Sequence, residues 1–268
     1  MTAEFTDNIN LAEEGRRSDI SLGPEVGIGL FYPVNHRNLF SLDLGVGYRW
    51  YWEHDQLSTF QVSPNTHVDY RFWVKDVQIN LHDDFHVQAD PASRPELSGS
   101  AFNYRRFINN SGIEATGQPW ESLTWTLGYD FSLDRTLNRE FRALDRNAHT
   151  FHAGTQHEIS PRWTAGLYAA YTLNEYVQKV QNDSAAWSVG PTLVFKASEF
   201  LTLDGSLFFT RQDFERSGTV ADTSDFEGLT FQGGLRHTLN RRMSHGIRAR
   251  RSIELGLASN YTEMHAVQ

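Results

Sequence analysis

Residues 39–53 read Leu-Phe-Ser-Leu-Asp-Leu-Gly-Val-Gly-Tyr-Arg-Trp-Tyr-Trp-Glu, and their parity decides the fold. The even positions are Phe40, Leu42, Leu44, Val46, Tyr48, Trp50 and Trp52. The odd positions are Ser41, Asp43, Gly45, Gly47, Arg49, Tyr51 and Glu53. Successive side chains of a β-strand point to opposite faces. As a strand, the segment carries one apolar, aromatic face and one small, polar or charged face. Period two over so long a stretch is a strand signature, not a helical one.

Working outward, the same alternation recurs. Ile20, Leu22, Val26, Ile28 and Leu30 alternate with Ser21, Gly23, Glu25, Gly27 and Gly29. Val68, Tyr70, Phe72 and Val74 alternate with His67, Asp69 and Arg71. Val77, Ile79, Leu81, Phe85 and Val87 alternate with Gln78, Asn80, His82, Asp84, His86 and Gln88. Leu123, Trp125, Leu127, Tyr129, Phe131 and Leu133 alternate with Thr124, Thr126, Gly128, Asp130, Ser132 and Asp134. Later strands centre on Phe151, Leu167, Leu193, Leu207, Leu235 and Leu255, and a weaker one lies near Ile113.

Turn signals fall into two kinds. Short ones lie near His36, Lys75-Asp76, Pro119, Ser160-Pro161, Ser198 and Asn240. Longer polar connections lie near Thr59, Arg94, Asn138, Gln181 and Gly218. The short turns recur roughly every 40 residues, and each period holds two long strands; a propeller blade would need four short ones. Alternating short turns and long loops, with strands long enough to cross a bilayer at a tilt, are the pattern of outer-membrane barrels. In lipid every backbone N–H and C=O must be paired within the protein, which only a closed sheet or a helix achieves.

The chain has 268 residues, no cysteine and a formal net charge of -9. Without cysteine there is no disulfide framework and no thiolate metal site. An acidic balance argues against a nucleic-acid partner, which calls for a basic face. Mean hydropathy is -0.50, which by itself reads as a polar chain. Membrane barrels give that average too, because half of each strand faces a polar lumen. Aromatics make up 13% of the chain, with seven Trp. They gather near strand ends on the apolar face, where Tyr and Trp favour a lipid–water interface.

The expected fold is therefore all-β: one up-and-down antiparallel transmembrane barrel over residues 1–268. About twelve strands follow Ile20, and Glu4–Ala12 makes about thirteen; because bacterial barrels carry even numbers, fourteen or more are expected in the intact protein. Met1 is followed by Thr2-Ala3-Glu4-Phe5-Thr6-Asp7, with neither a basic nor an apolar leader region. His265-Ala266-Val267-Gln268 lacks an aromatic-ended closing strand. The expectation is a chain trimmed at both ends.

This orientation sorts the residues. Phe40, Leu42, Leu44, Tyr48, Trp50, Trp52, Phe72, Trp125, Tyr129, Trp163 and Trp187 would face lipid. Glu25, Asp43, Arg49, Asp69, Arg71, His82, Asp84, His86, Asp130, Asp134 and Asp204 would line the lumen, where mixed charge tunes selectivity. His82, Asp84 and His86 share a face, but alternate strand residues are spaced about 7 Å apart, which is long for joint coordination of one ion. A polar lumen explains them better than a metal. His149, His152 and His157 do not share a face consistently. Gly27-Ile28-Gly29 and Gly45-Val46-Gly47 have no phosphate-loop context and mark bends or close backbone approach. No Ser, His and Asp stand paired as nucleophile and base, so no enzyme, cofactor or metal is expected. The expected partner is outer-membrane lipid; the oligomeric state is left open.

Two segments carry a family resemblance. Phe5-Thr6-Asp7-Asn8-Ile9-Asn10-Leu11, followed by Ser18-Asp19-Ile20, resembles the opening of the β-barrel porin type 2 family of Gram-negative outer membranes. Arg251-Ser252-Ile253-Glu254-Leu255-Gly256 resembles a late strand of that family. The resemblance implies an outer-membrane location and a pore or export role. It supplies no catalytic residues.

Four functions compete at this point. The first is a pore or export conduit for small polar solutes or a secreted polymer. The second is a structural or loop-binding barrel with a blocked lumen. An outer-membrane hydrolase is the third, and a soluble β-protein with its apolar face inside is the fourth.

Overall fold

A computed structural model of the chain describes residues 2–7, 17–89, 105–240, 243–256 and 259–267. Among the described residues, sixteen strands, paired antiparallel, make one sheet. They are β1 (Thr2–Thr6), β2 (Asp19–Gly23), β3 (Glu25–Pro33), β4 (Leu39–Tyr51), β5 (Thr59–Val62), β6 (His67–Val74), β7 (Val77–Ala89) and β8 (Arg105–Trp120). The second half comprises β9 (Leu123–Thr136), β10 (Arg146–Ser160), β11 (Trp163–Tyr176), β12 (Ser184–Lys196), β13 (Leu201–Phe214), β14 (Phe226–Asn240), β15 (Met243–Leu255) and β16 (Tyr261–Val267). Contacts group the chain into two units. One holds Met1–Phe72, Asn80–Gly112 and Phe131–Asn147; the other holds Trp73–Ile79, Ile113–Asp130 and Ala148–Gln268.

In the first unit, β1 pairs with β2 through Phe5↔Ile20. Proline 24, which has no N–H to give to a ladder, divides the expected Ile20–Leu30 strand into β2 and β3. Both pieces stay on β4: β2 through Leu22↔Trp50 and β3 from Glu25↔Gly47 to Pro33↔Leu39. The other edge of β4 is shared by β5, at Val46↔Val62, and β6, at Phe40↔Tyr70. A short loop between them is fastened by the fully buried Thr66, whose Oγ1 accepts from Gly45 N at 3.1 Å. A Cβ on Gly45 would lie 2.5 Å from Ser63 Cβ, so that strand position admits only glycine.

The second unit is more regular. From β11 to β16 each strand pairs with the next, through Trp163↔Phe195, Ser184↔Phe214, Leu203↔Leu235, Leu235↔Ile247 and Ile253↔Glu263. Tight turns fall where the sequence places them. Lys75 takes a left-handed φ of 56° in the turn between β6 and β7. Asn35 Oδ1 accepts from Arg37 N and Asn38 N, and Ser198 Oγ accepts from Phe200 N and Leu201 N. Such local side-chain acceptors stabilise turns.

The strand count differs from the expected twelve or thirteen. Pro24 adds one, the four-residue β5 is too short to show a period, and Tyr261–Val267 forms β16 on the edge of β15. That last segment alternates weakly; its pairing is supported by an ion pair, Arg251 Nη2 to Glu263 Oε2 at 2.8 Å. Residues 8–12 of the expected first strand lie outside the described residues. So do Asn8–Leu11 of the family motif and the connection near Arg94.

Burial is inverted relative to an ordinary β-protein. Among the described residues the buried apolar side chains are four: Leu57, Ala148, Tyr176 and Phe226. Fifteen polar or charged residues are buried, including Asp19, Asp69, Asp134, Asn182 and Gln212. Large apolar side chains lie in the open: Leu167 and Ile247 are each 62% exposed and Leu127 is 58% exposed. A soluble barrel or sandwich buries its apolar rows. Here the apolar rows are the exposed ones.

Candidate functional site

The polar face carries the chemistry. In the first unit its hub is Asp134 on β9, which is 6% exposed. Arg106 of β8 grips it with two N–H groups, Nε to Oδ1 at 2.9 Å and Nη2 to Oδ2. Arg146 of β10 approaches Oδ2 at 3.5 Å. Nearby, Thr136 donates both N–H and O–H to Asp145 Oδ1 at 2.7 Å, and Arg105 N donates to Asn138 Oδ1 at 3.1 Å. The 137–145 connection is thus tied to strand ends on both sides.

The other expected polar-face residues of this unit are placed as follows. Asp69 is buried beside Arg71, whose Nε donates to it at 2.7 Å. Asp43 meets His67 Nε2 at 3.4 Å, and Arg49 meets Glu4 at 3.5 Å. Glu25 opens β3 opposite Gly47. His82, Asp84 and His86 share one parity of β7. In the sequence Asp19 stands out only as part of a family motif. In the structure its side chain is fully buried and accepts backbone N–H groups from Ile20, Trp52, Glu53 and His54, plus the His54 ring at 2.8 Å. Asp19 thereby fixes the chain where it leaves β4.

In the second unit the polar face centres on His152 of β10. Its Nδ1 lies 3.2 Å from Asp130 Oδ2 on β9, and its Nε2 lies 3.5 Å from Glu114 Oε2 on β8. Opposite nitrogens meet opposite carboxylates, so the three cannot converge on one ion. A Cβ on Gly128 would sit 2.3 Å from His152 Nε2; this glycine leaves the space that the ring fills. Tyr168 of β11 stacks on the same ring, with centroids 6.3 Å apart. Asp204 of β13 stands on the same face, its Oδ1 2.8 Å from where a Cβ of Gly234 would be. His149 instead pairs with Tyr129 Oη at 2.9 Å, and His157 Nδ1 lies 3.2 Å from Ser122 O.

On the apolar face, Tyr48, Trp50, Trp52, Trp163 and Trp187 are exposed, while Phe40, Leu42, Leu44, Phe72, Trp125 and Tyr129 are half-buried among neighbouring strands. Trp52 lies just past the end of β4 and packs edge-on against Trp50 at 5.1 Å. Trp125 lies over Gly117 of β8, where a Cβ would meet the indole at 2.5 Å.

Two long connections of the second unit, near Gln181 and Gly218, are latched to each other and to Asn260, just before β16. Buried Asn182 donates to Asn260 Oδ1 at 2.9 Å and to Asp222 O at 3.1 Å, and accepts from Gly218 N at 3.0 Å. Asn260 N donates to Asp222 Oδ2 at 2.8 Å. The Ser224 hydroxyl, then the Asn260 and Ser224 N–H groups, hold the Asp222 carboxyl below the ordinary aspartate range. A depressed folded-state pKa means that the interaction is complete above the ordinary value and is lost as pH falls through the lower one. The Asn260 amide resonance should therefore titrate with a midpoint below that of a free aspartate. A midpoint at or above the free value would contradict the latch.

The chain has counterparts among solved structures. It is similar in structure to OmpT, an outer membrane protein of Vibrio cholerae in its trimer form, folded in vitro: TM-score 0.51, 7% identity, 99% of this chain and 92% of that one covered. The chain has the all-β antiparallel fold of an outer-membrane barrel. A bacterial polysaccharide outer membrane secretin aligns over 99% of this chain and 93% of its own, at 10% identity and a TM-score of 0.45, too low to bear on function. No family model and no curated protein matches. One expectation is corrected by the likeness to OmpT. The chain was expected to be no enzyme, but that expectation rested on unpaired Ser, His and Asp in sequence. The likeness shows a fold class, and a fold class neither excludes nor assigns catalysis; enzymatic activity stays open.

Proposed function

We propose that the chain is an outer-membrane barrel that conducts small polar solutes or a secreted polymer across the bacterial outer membrane. The observation that carries this reading is the inverted burial: apolar rows exposed, and Asp19, Asp69, Asp134 and a set of hydroxyls and amides covered. An exposed apolar band of that extent is costly in water and favourable against hydrocarbon. On this reading Asp43, Arg49, Asp69, Asp130, Asp134 and Asp204 face the lumen, and Leu127, Phe151, Leu167 and Ile247 face lipid. The N-terminal and late-strand motifs support membership of the porin type 2 family, with outer-membrane lipid as the partner.

Planar-bilayer recording of the folded full chain tests it. Stepwise single-channel conductance is expected. Correctly folded protein that inserts and passes no current would overturn the conduit. That outcome would favour the second reading, a barrel that binds through its long connections, which the latch at Asn182 and Asn260 makes into an ordered surface.

A further inference from the structure

Aromatic side chains of the second unit's long strands mostly follow the apolar parity, as Phe151, Trp163, Tyr171, Trp187, Phe209 and Phe231 do. Tyr168 of β11 and Phe208 of β13 break that rule at mid-strand. Their neighbours in sequence, Leu167 and Leu207, take the exposed face. The two rings meet edge to face across β12, with centroids 5.8 Å apart. They can do so because the β12 residue opposite Tyr168 is Gly190. A side chain there would also collide with Leu207 O, at 1.9 Å. The next residue, Pro191, has no N–H to donate; the β12–β13 register stops at Val189↔Phe209 and resumes at Thr192↔Ser206. On the other side of Tyr168 the His152 ring stacks on it, and Gly154, with a Cβ position 3.5 Å from Cδ2, leaves the ring edge beside that stack open.

Tyr168 stands between two clefts of about 320 and 380 Å³ that share Gln156, Tyr168 and Thr192. Asp204 and Gln232 line the second cleft with Phe208, and Glu114 lines the first. Clefts of this size hold a small ligand, and a few polar groups orient it. Rings on a polar wall, flanked by side-chain amides and carboxylates, suit one ligand chemistry. A pyranose has a face of C–H groups that packs on an aromatic ring and a rim of hydroxyls that pairs with amides and carboxylates. Carboxylates at the rim of each cleft disfavour a phosphate or another anion there.

We infer that the Tyr168–Phe208 pair and the flanking Gln156, Asp204 and Gln232 form a binding subsite for a neutral saccharide. The inference rests on the polar face being the wetted interior and deepens that reading by naming a substrate class.

The test is calorimetric titration of the full chain, folded in a detergent without a sugar headgroup, with maltohexaose, cellohexaose and N-acetylchitohexaose. Binding of at least one probe, millimolar or tighter, is expected. Tyr168→Ala should weaken it roughly tenfold, an effect of the size an aromatic contact supplies. Tyr168→Phe, which keeps the ring, should stay within about threefold. Phe151→Ala, on the apolar face, should leave binding unchanged and shows that ring loss elsewhere is silent. No binding by any probe, or equal binding by wild type, Tyr168→Ala and Phe208→Ala, would overturn the site. Conductance separates the two readings: a conducting chain that ignores all three sugars loses the subsite and keeps the pore, and a silent chain that binds one loses the pore and keeps the subsite.

Discussion

Replacing Asp134 by alanine is expected to destabilise the folded chain by about 3–5 kcal/mol, the range measured when one partner of a buried ion pair is removed. The size follows from what is left behind. Arg106 and Arg146 approach this one carboxylate, and the Arg106 side chain is 13% exposed. Without Asp134 two guanidinium groups face each other over a covered site, with their charge unbalanced. Desolvating a charge without a partner costs several kcal/mol. Asp134→Asn should lose somewhat less, because the amide still accepts one hydrogen bond. The double replacement Asp134→Leu with Arg106→Met should recover part of the loss, since an apolar pair of similar volume removes the more buried guanidinium and leaves only Arg146, which is 27% exposed, without its carboxylate. Urea unfolding in lipid vesicles, followed by tryptophan fluorescence, gives the four free energies. A loss below about 1 kcal/mol for Asp134→Ala, the range of an exposed pair, would show that the hub is wet and screened.

The hub also shows where sequence reading stops. Asp134 is legible as a polar-face residue because β9 alternates without a break from Leu123. Its partner Arg106 is not. β8 reads Arg-Arg-Phe-Ile-Asn-Asn-Ser-Gly-Ile-Glu-Ala-Thr-Gly-Gln-Pro-Trp and holds no steady period, so neither Arg106 nor Glu114 can be assigned a face from composition. His152 has the same history. Parity sets it apart from His149 and His157, but its carboxylates come from two other strands, and only register brings them together. Register depends on turn lengths and on cross-strand packing, which a single strand does not encode. β5, with four residues, spans only two periods of alternation. Asp19 is invisible for another reason: it acts on backbone N–H groups of the chain leaving β4, and no pattern of side chains announces that. Within a strand, parity carries the reading; between strands, geometry must supply it.

That division makes orientation the claim to strike hardest. Leu167→Arg should cost about 2–4 kcal/mol if β11 crosses near the bilayer midplane with this side chain against lipid. Ala170→Arg, three residues along the same strand and on the opposite parity, should cost far less, because an arginine there reaches water and nearby carboxylates. The two substitutions add the same group to the same strand, so the strand propensity and chain entropy of the arginine itself cancel in the difference. If the apolar rows met water instead, the order would reverse. Leu167, already 62% exposed, would then tolerate arginine within about 0.5 kcal/mol, as surface positions do. The covered polar wall would become the interior of a soluble protein, and Ala170→Arg would be the damaging change. Unfolding both variants in the same vesicles reads the sign directly. A larger loss for Ala170→Arg than for Leu167→Arg would remove the lumen and, with it, both the conduit and the sugar-binding wall.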